Sequence, residues 1–261
     1  MNEIVALNFQ ETGNGPPVAI LHGLFGSLRN WRSIGAELSD QYRVVSIDLR
    51  NHGDSPHIGS MSYSAMAADV AMLLRRLSIG DASIIGHSMG GKVAMTLALS
   101  EPQLVNRLVV VDIAPNGYAN EYTDLIDSID RLDLNQIRRR SDASAALVDG
   151  IPNEEIRSFI LQNLVFATGS QPFWKINIEG IKHAIDDLVG PIPYTRSSSF
   201  RGQTHFLRGA LSDRVQEQHR ETIGTIFANS HITSITGAGH WPHVQARSEF
   251  LAHVRQILES K

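Results

Sequence analysis

The sequence contains no cysteine among its 261 residues. A disulfide framework, a thiolate metal site and a cysteine nucleophile are therefore excluded. The chain also has no apolar run of about 18–20 residues, the length that a membrane-spanning helix needs. Its N-terminal segment lacks the basic and apolar regions of a signal peptide. We therefore expect a soluble, cytoplasmic protein, because a chain without cysteine suits a reducing compartment.

The sequence also has no excess of basic over acidic residues. The formal net charge is −4, with 23 lysines and arginines against 27 acidic residues. This mild acidity argues against nucleic acid or an anionic membrane surface as a partner. An apolar content of 42% is ordinary for a globular domain, and nothing in the composition indicates an oligomeric state.

Short apolar runs alternate with amphipathic segments along the chain. Several runs are apolar on both faces, as in strands of a parallel sheet that is covered by helices. We therefore predict an α/β fold with a mostly parallel, doubly wound sheet. The predicted strands are Ile4–Phe9, Val18–Leu21, Arg43–Asp48, Ser83–Gly86, Leu108–Asp112, His205–Arg208 and Ile232–Thr236. The predicted core helices are Tyr63–Leu77, Met89–Ser100, Arg214–Phe227 and Val244–Leu258.

One long segment interrupts this alternation. Residues 116–198 contain no convincing buried strand and show helical patterns at Tyr122–Leu132 and Glu154–Phe166, the latter preceded by the capping residue Asn153. A length of about 80 residues favours an inserted helical lid over ordinary crossover helices. We predict a core formed by residues 1–115 and 199–261, with residues 116–198 as the lid.

A G-x-S-x-G motif is formed by Gly86, Ser88 and Gly90. An apolar strand pattern precedes it and a helical pattern follows, which is the setting of a nucleophile elbow. Glycine two residues before and after the serine permits the sharp turn. The simpler alternative is that Ser88 only caps the following helix. The context favours Ser88 as a nucleophile at a helix N-terminus, where developing negative charge is stabilised.

A glycine-containing turn, Leu21–Ser27, follows the second predicted strand. Backbone N–H groups of such a turn can stabilise the oxyanion that forms from an attacked carbonyl. We expect one donor from Met89, the residue after the nucleophile, and the second from Leu24 or, less favoured, Phe25. His22 in this turn is expected to hold the loop through its ring nitrogens.

A serine nucleophile needs a neighbouring base. His240 follows the last predicted strand in the run Gly-Ala-Gly-His-Trp, so flexible glycines place it at a strand end. The order of serine before histidine is that of α/β-type hydrolases. His243 is the alternative base, and His87 is expected to point away from the cleft.

The base needs a carboxylate to fix its tautomer. Asp112 ends one predicted strand, and Asp213 follows another. Both lie between Ser88 and His240 in the sequence, so position and spacing leave both as candidates.

Five motifs together resemble the α/β-hydrolase superfamily, and within it the YbfF-type bacterial esterases and ABHD-eleven-like hydrolases. They are LHGLFGS at Leu21–Ser27, DLRNHGDS at Asp48–Ser55, GHSMGGK at Gly86–Lys92, VVDIAP at Val110–Pro115 and GAGHW at Gly237–Trp241.

The resemblance implies Ser88 and His240 in the triad. It also implies Asp112 as the acid, with Ser212 where most of the superfamily has its acid. Asp213 beside Ser212 is a departure from that pattern, so Asp112 is favoured over Asp213 without excluding it. By the same resemblance, Asp48–Ser55 is expected to brace the loops around the nucleophile, and Lys92 to face away from the chemistry.

The predicted function is therefore hydrolysis of a small-molecule ester or thioester through an acyl-enzyme, without metal or organic cofactor. A C–C bond hydrolase, a cofactor-free peroxidase and a slow ligand-sensing hydrolase are the alternatives. Apolar lid side chains predict either an acyl pocket or the lid's own core: Phe159, Leu164, Phe166, Phe173, Trp174 and Ile178. Arg138–Arg140 is interpreted as a solvated helix face rather than an anion site.

Overall fold

A computed structural model describes residues 3–195 and 198–260. A seven-stranded sheet forms its centre. The strands are β1 Phe9–Thr12, β2 Pro17–Leu21, β3 Arg43–Ile47, β4 Ala82–His87, β5 Val105–Val111, β8 Gln203–Gly209 and β9 Ser230–Ile235; the short strands β6 Leu164–Val165 and β7 Phe173–Trp174 form a separate pair.

Ten α-helices are assigned in the described part of the chain. They are α1 Arg32–Leu38, α2 Tyr63–Arg76, α3 Met89–Ser100, α4 Thr123–Asp130, α5 Arg140–Ala146, α6 Glu154–Leu161, α7 Ile178–Val189, α8 Arg220–Ile226, α9 Pro242–Gln245 and α10 Arg247–Glu259. Short 3-10 helices cover Leu28–Trp31, Pro102–Leu104, Leu134–Gln136 and Glu217–His219.

The sheet has the order β1-β3-β2-β4-β5-β8-β9. Only β1 runs antiparallel to its neighbour, and all other pairs are parallel. This confirms the predicted α/β class and the mostly parallel sheet. All six residues of β4 are buried, as expected of a central strand with helices on both faces. The carboxyl ends of β4, β5 and β8 therefore meet at one edge, where ligand sites of such sheets form.

Two apolar clusters lie on the two faces of the sheet. One contains Val70 of α2 and Val93 of α3, and the other contains Ile34 of α1 and Phe250 of α10. Each such fully buried side chain contributes roughly 1.5–3 kcal/mol, so these clusters hold the strand ends in fixed positions.

The first predicted strand, Ile4–Phe9, is wrong in position, because β1 starts only at Phe9. Val5 and Leu7 are buried as their apolar character indicated. However, the Val5 N–H donates to the Asp69 carboxylate at 2.9 Å rather than to a neighbouring strand.

Two C-terminal helices are also shorter than predicted. Residues 217–219 form a 3-10 turn, so that α8 begins at Arg220. The last helix breaks at Ala246, which has φ −136° and ψ 53° between α9 and α10.

Between β5 and β8 the chain forms α4 to α7 and the β6–β7 pair. Asn153 caps α6 by accepting the Ile156 N–H at 3.1 Å, as the sequence predicted. This helix ends at Leu161 rather than Phe166, because Leu164–Val165 pairs with Phe173–Trp174. The Asn163 amide donates to the Phe25 carbonyl at 2.8 Å, which ties this segment to the turn after β2. No helix among the described residues is long and apolar enough to cross a membrane.

Candidate active site

Ser88 lies at a sharp turn between β4 and α3, with φ 51° and ψ −120°. A positive φ is costly for a residue with a side chain, and residues with strained backbone cluster at functional sites. The turn fits only because its neighbours lack a Cβ atom. A Cβ on Gly86 would lie 2.3 Å from the Gly90 carbonyl oxygen, and one on Gly90 would lie 2.5 Å from the carbonyl oxygens of His22 and Leu21.

His240 reaches Ser88 from the loop after β9. Its Nε2 lies 3.1 Å from Ser88 Oγ, and its Nδ1 lies 2.8 Å from Asp112 Oδ2. The carboxylate can only accept, so Nδ1 carries the proton and Nε2 is free to accept the Ser88 hydroxyl proton. The three side chains come from the ends of β4, β5 and β9.

Asp112 is completely buried at the end of β5 and has φ 50°. Its Oδ1 accepts the Gly209 N–H at 2.9 Å. Its Oδ2 accepts the Ser212 hydroxyl at 2.5 Å as well as His240. Three donors thus surround one carboxylate, which compensates for its removal from water.

Asp213, the other candidate acid, lies on the outside. Its side chain is 71% exposed and its carboxylate is 3.4 Å from the Arg214 guanidinium. The structure therefore brings Asp112, and not Asp213, into contact with His240.

The turn after β2 offers one of its two candidate N–H groups to the site. The Phe25 N–H donates to His52 Nε2 at 3.2 Å, and Phe25 has φ 60°. Burial first, and His22 second, lower the pKa of His52 to about 3, so its Nε2 stays a neutral acceptor. The N–H groups of Leu24 and Met89 have no acceptor within residues 3–195 and 198–260.

The other histidines near Ser88 are engaged in the scaffold. His22 accepts the Leu49 N–H at 3.0 Å and donates to the Gly23 carbonyl at 2.8 Å. His87 donates to the His240 carbonyl at 2.8 Å. Burial lowers the pKa of His22 and of His87 below the ordinary value, so both rings are neutral. His87 also lines the larger cavity beside Ser88, so the expectation that it points away from the cleft is wrong.

His243 does not lie against Ser88. It stacks on Trp31 with ring centroids 4.3 Å apart, and burial lowers its pKa to about 3. Asp48 ties its own loop to the turn after β2, because its carboxylate accepts the Asp54 N–H at 2.9 Å and the Leu28 N–H at 2.8 Å. This is the bracing that the sequence predicted for Asp48–Ser55.

Two cavities open beside Ser88. A groove of about 490 Å³ is lined by Ser88, His240, Trp241, Phe159 and apolar neighbours. A second cavity, of about 30 Å³, is lined by Ser88, Lys92 and three tyrosines. The expectation that Lys92 faces away from Ser88 is therefore wrong.

The apolar side chains of the predicted lid divide between the two roles that the sequence left open, an acyl pocket and a core. Phe159 lines the groove, whereas Leu164 is in the core, and Phe166 and Phe173 are exposed. Trp174 and Ile178 pack against the core. Three of these six side chains therefore belong to the apolar core, and one lines the groove. Arg138–Arg140 is exposed as predicted.

Several residues of the site carried no sequence signal. Tyr118 and Tyr122 line the small cavity, but neither belongs to a motif, and only the tertiary structure brings them to Ser88. The described residues contain no group of three or more histidine, aspartate or glutamate side chains that could hold a metal.

Comparisons with known proteins identify the family of this chain. The alpha/beta hydrolase fold family matches residues 16–246. The sn-1-specific diacylglycerol lipase ABHD11 of Xenopus laevis is 37% identical over 94% of this chain and 80% of that protein. Esterase YbfF of Escherichia coli K12 is 30% identical over 98% of each chain.

Among solved structures, a marine microorganism esterase superposes with a TM-score of 0.93 at 35% identity. The match covers 97% of this chain and 99% of that one. The resemblance inferred from the motifs is thereby confirmed, and the chain belongs to the alpha/beta hydrolase fold family.

Proposed function

We propose that this protein is a serine carboxylic ester hydrolase in which Ser88 is the nucleophile, His240 the base and Asp112 the acid. The observation that carries the proposal is the continuous path from Ser88 Oγ through His240 to the buried Asp112, with steps of 3.1 and 2.8 Å. Relatives named as esterases and lipases support the same reaction class.

The first half-reaction forms an acyl-enzyme. Ser88 Oγ attacks the ester carbonyl while His240 Nε2 takes the hydroxyl proton. The carbonyl oxygen becomes an oxyanion, and the C–O bond to the leaving alcohol then breaks. His240 returns its proton to the departing oxygen. In the second half-reaction, water attacks the acyl-enzyme in the place of the alcohol. The carboxylic acid product is released, and Ser88 is free again.

Asp112 supports both steps without accepting a proton. It holds the His240 tautomer that leaves Nε2 unprotonated, and its negative charge stabilises the imidazolium that forms. The donors Gly209 N–H and Ser212 O–H hold the carboxylate in a fixed position.

The oxyanion is stabilised by the N–H groups of Met89 and Leu24. Met89 is the first residue of α3, so its N–H has no intrahelical acceptor and lies at the positive end of the helix dipole. The second donor to the oxyanion is the Leu24 N–H rather than the Phe25 N–H, because the Phe25 N–H already donates to His52.

Substrates are small-molecule esters or thioesters that enter the groove between the core and residues 116–198, which act as a lid. Apolar groove side chains, among them Leu125, Phe159 and Trp241, suit a hydrocarbon portion of the substrate.

The test is labelling with a fluorophosphonate probe, followed by mapping of the adduct and hydrolysis of p-nitrophenyl acetate. We expect the label on Ser88, and loss of both label and turnover in Ser88→Ala. Ser100→Ala, at the opposite end of α3, is the matched control and retains both. An unlabelled wild-type protein with no turnover would overturn the proposal. Comparison of acetyl esters with acetyl thioesters then identifies the leaving group.

A further inference from the structure

A buried lysine lies beside the candidate nucleophile and has no role in the ester hydrolysis proposed above. Lys92 is four residues after Ser88 on α3, and only 1% of its surface is exposed. Both residues line the cavity of about 30 Å³. By volume this cavity holds about two water molecules or one carboxylate group. Lys92 therefore forms part of the wall of a small space that starts at the nucleophile.

Lys92 has no acidic partner among the described residues. Its Nζ donates to the Gly190 carbonyl at 2.5 Å and lies 4.9 Å from the ring centre of Tyr118 and 5.6 Å from that of Tyr63. An ammonium has three N–H donors, so this single carbonyl leaves capacity for a further acceptor. No carboxylate lines the cavity within the described parts of the chain.

The second cation at the cavity, Arg214, already has acidic partners. Arg214 pairs with Glu121 at 3.0 Å and with Asp213 at 3.4 Å, both at the outer side. Its remaining positive field nevertheless acts on Lys92. Burial first, and Arg214 second, lower the pKa of Lys92 to about 7. An uncompensated cation in a buried site is unfavourable, and an incoming anion would remove that cost.

We propose that the cavity is a subsite for the far end of a short acyl group that ends in a carboxylate, which Lys92 binds. Half-esters of small dicarboxylic acids are then preferred substrates. This inference rests on the proposed function, because the acyl carbon must sit at Ser88.

The spacing of Ser88 and Lys92 along α3 suits a succinyl-sized group whose terminal carboxylate alone fills the small cavity. From Ser88 to Lys92, α3 advances about 6 Å, and side chains on a helix lean toward its N-terminus. The methylene groups between the two ends of the acyl chain would contact the apolar part of the wall, such as Ile113 and Leu188. The alcohol portion would then occupy the larger groove, which also borders Ser88.

The experiment compares monomethyl succinate with methyl 4-oxopentanoate, a neutral ester with the same number of heavy atoms, by following methanol release. In the wild type we expect kcat/KM to be at least tenfold higher for the half-ester. In Lys92→Met the ratio of the two kcat/KM values falls by tenfold or more, mainly through KM of the half-ester. Lys182→Met removes the same charge from the outer side of α7, where Lys182 pairs with Asp127 and Asp130, and leaves the ratio unchanged.

A binding measurement keeps the inference testable if Lys92→Met does not fold. Ser88→Ala protein is titrated with both esters by calorimetry, and the half-ester is expected to bind at least tenfold more tightly. Equal affinities, or an unchanged kcat/KM ratio in Lys92→Met, would overturn the subsite. Hydrolysis of p-nitrophenyl acetate by the wild type is measured in parallel. Its absence refutes the proposed function, whereas its presence together with no preference for the half-ester refutes only the subsite.

Discussion

The carboxylate of the triad can be tested by a single exchange of oxygen for nitrogen. Asp112→Asn keeps the shape of a completely buried side chain but replaces one acceptor with a donor. In one orientation its NH₂ faces the Gly209 N–H, so that two donors meet. In the other its NH₂ faces the Ser212 hydroxyl and His240 Nδ1.

The second orientation allows Nδ1 of His240 to become the acceptor. The ring proton then moves to Nε2, which faces Ser88 Oγ at 3.1 Å and can no longer accept its proton. Loss of the correct tautomer in a serine triad lowers kcat by about 10⁴-fold, equivalent to roughly 5–6 kcal/mol of transition-state stabilisation. We therefore expect kcat/KM of Asp112→Asn to fall by about 10³- to 10⁴-fold.

Asp213→Asn is the matched control, since it makes the same chemical change at the other candidate acid. The Asp213 side chain is 71% exposed and its carboxylate pairs with Arg214 at 3.4 Å, so we expect less than about a twofold change, as for an exposed ion pair. Both variants are assayed by p-nitrophenyl acetate hydrolysis and by the rate of fluorophosphonate labelling. A loss below about tenfold in Asp112→Asn, or a comparable loss in Asp213→Asn, would refute the assignment.

Three further changes test other parts of the site. Ser212→Ala removes one of three donors to Asp112, and we expect kcat/KM to fall about 3- to 30-fold, measured with the same ester; an unchanged value would contradict a positioning role. Gly90→Ala puts a Cβ atom 2.5 Å from the Leu21 carbonyl, so we expect a loss of more than about 3 kcal/mol in urea unfolding, and a wild-type midpoint would contradict it. Lys92 has its pKa lowered from 10.5 to about 7, so between these values the unfolded chain binds more protons and the wild type gains stability as pH rises. Lys92→Met is therefore expected to be more stable than the wild type by about 2–4 kcal/mol at about pH 6, and this difference should close toward about pH 10. Thermal melts across this pH range measure it, and a difference that stays constant with pH would contradict the reasoning.

The sequence predicted those parts of the fold and site that depend on local patterns. Central strands such as β2 are apolar at every position, and a short continuous apolar run of this kind indicates a buried strand. The turn at Ser88 was predictable because its flanking positions require glycine. A Cβ atom on Gly86 or Gly90 would lie less than 3 Å from neighbouring backbone atoms. In contrast, Val5 and Leu7 have the composition of a strand, yet the Val5 N–H is bound by Asp69, 64 residues away. No local pattern reveals such a partner.

The same limit applies to the small cavity. Lys92 lies in a recognisable motif, but its burial depends on the Gly190 carbonyl at the end of α7 and on Tyr118 after β5. Helical spacing alone places the residue one turn from Ser88, and it does not decide which neighbours cover the ammonium group.

The choice between two aspartates shows how the sheet determines what the sequence left open. β5 and β8 are adjacent and parallel, with Val111 beside Leu207, so their carboxyl ends reach the same point. A carboxylate on either strand end could face His240, provided that the other end supplies donors. Here β5 supplies the carboxylate, and the end of β8 supplies the Gly209 N–H and the Ser212 hydroxyl. Asp112 needs a positive φ for this, at a cost of about 1–2 kcal/mol, which three hydrogen bonds to a buried charge offset.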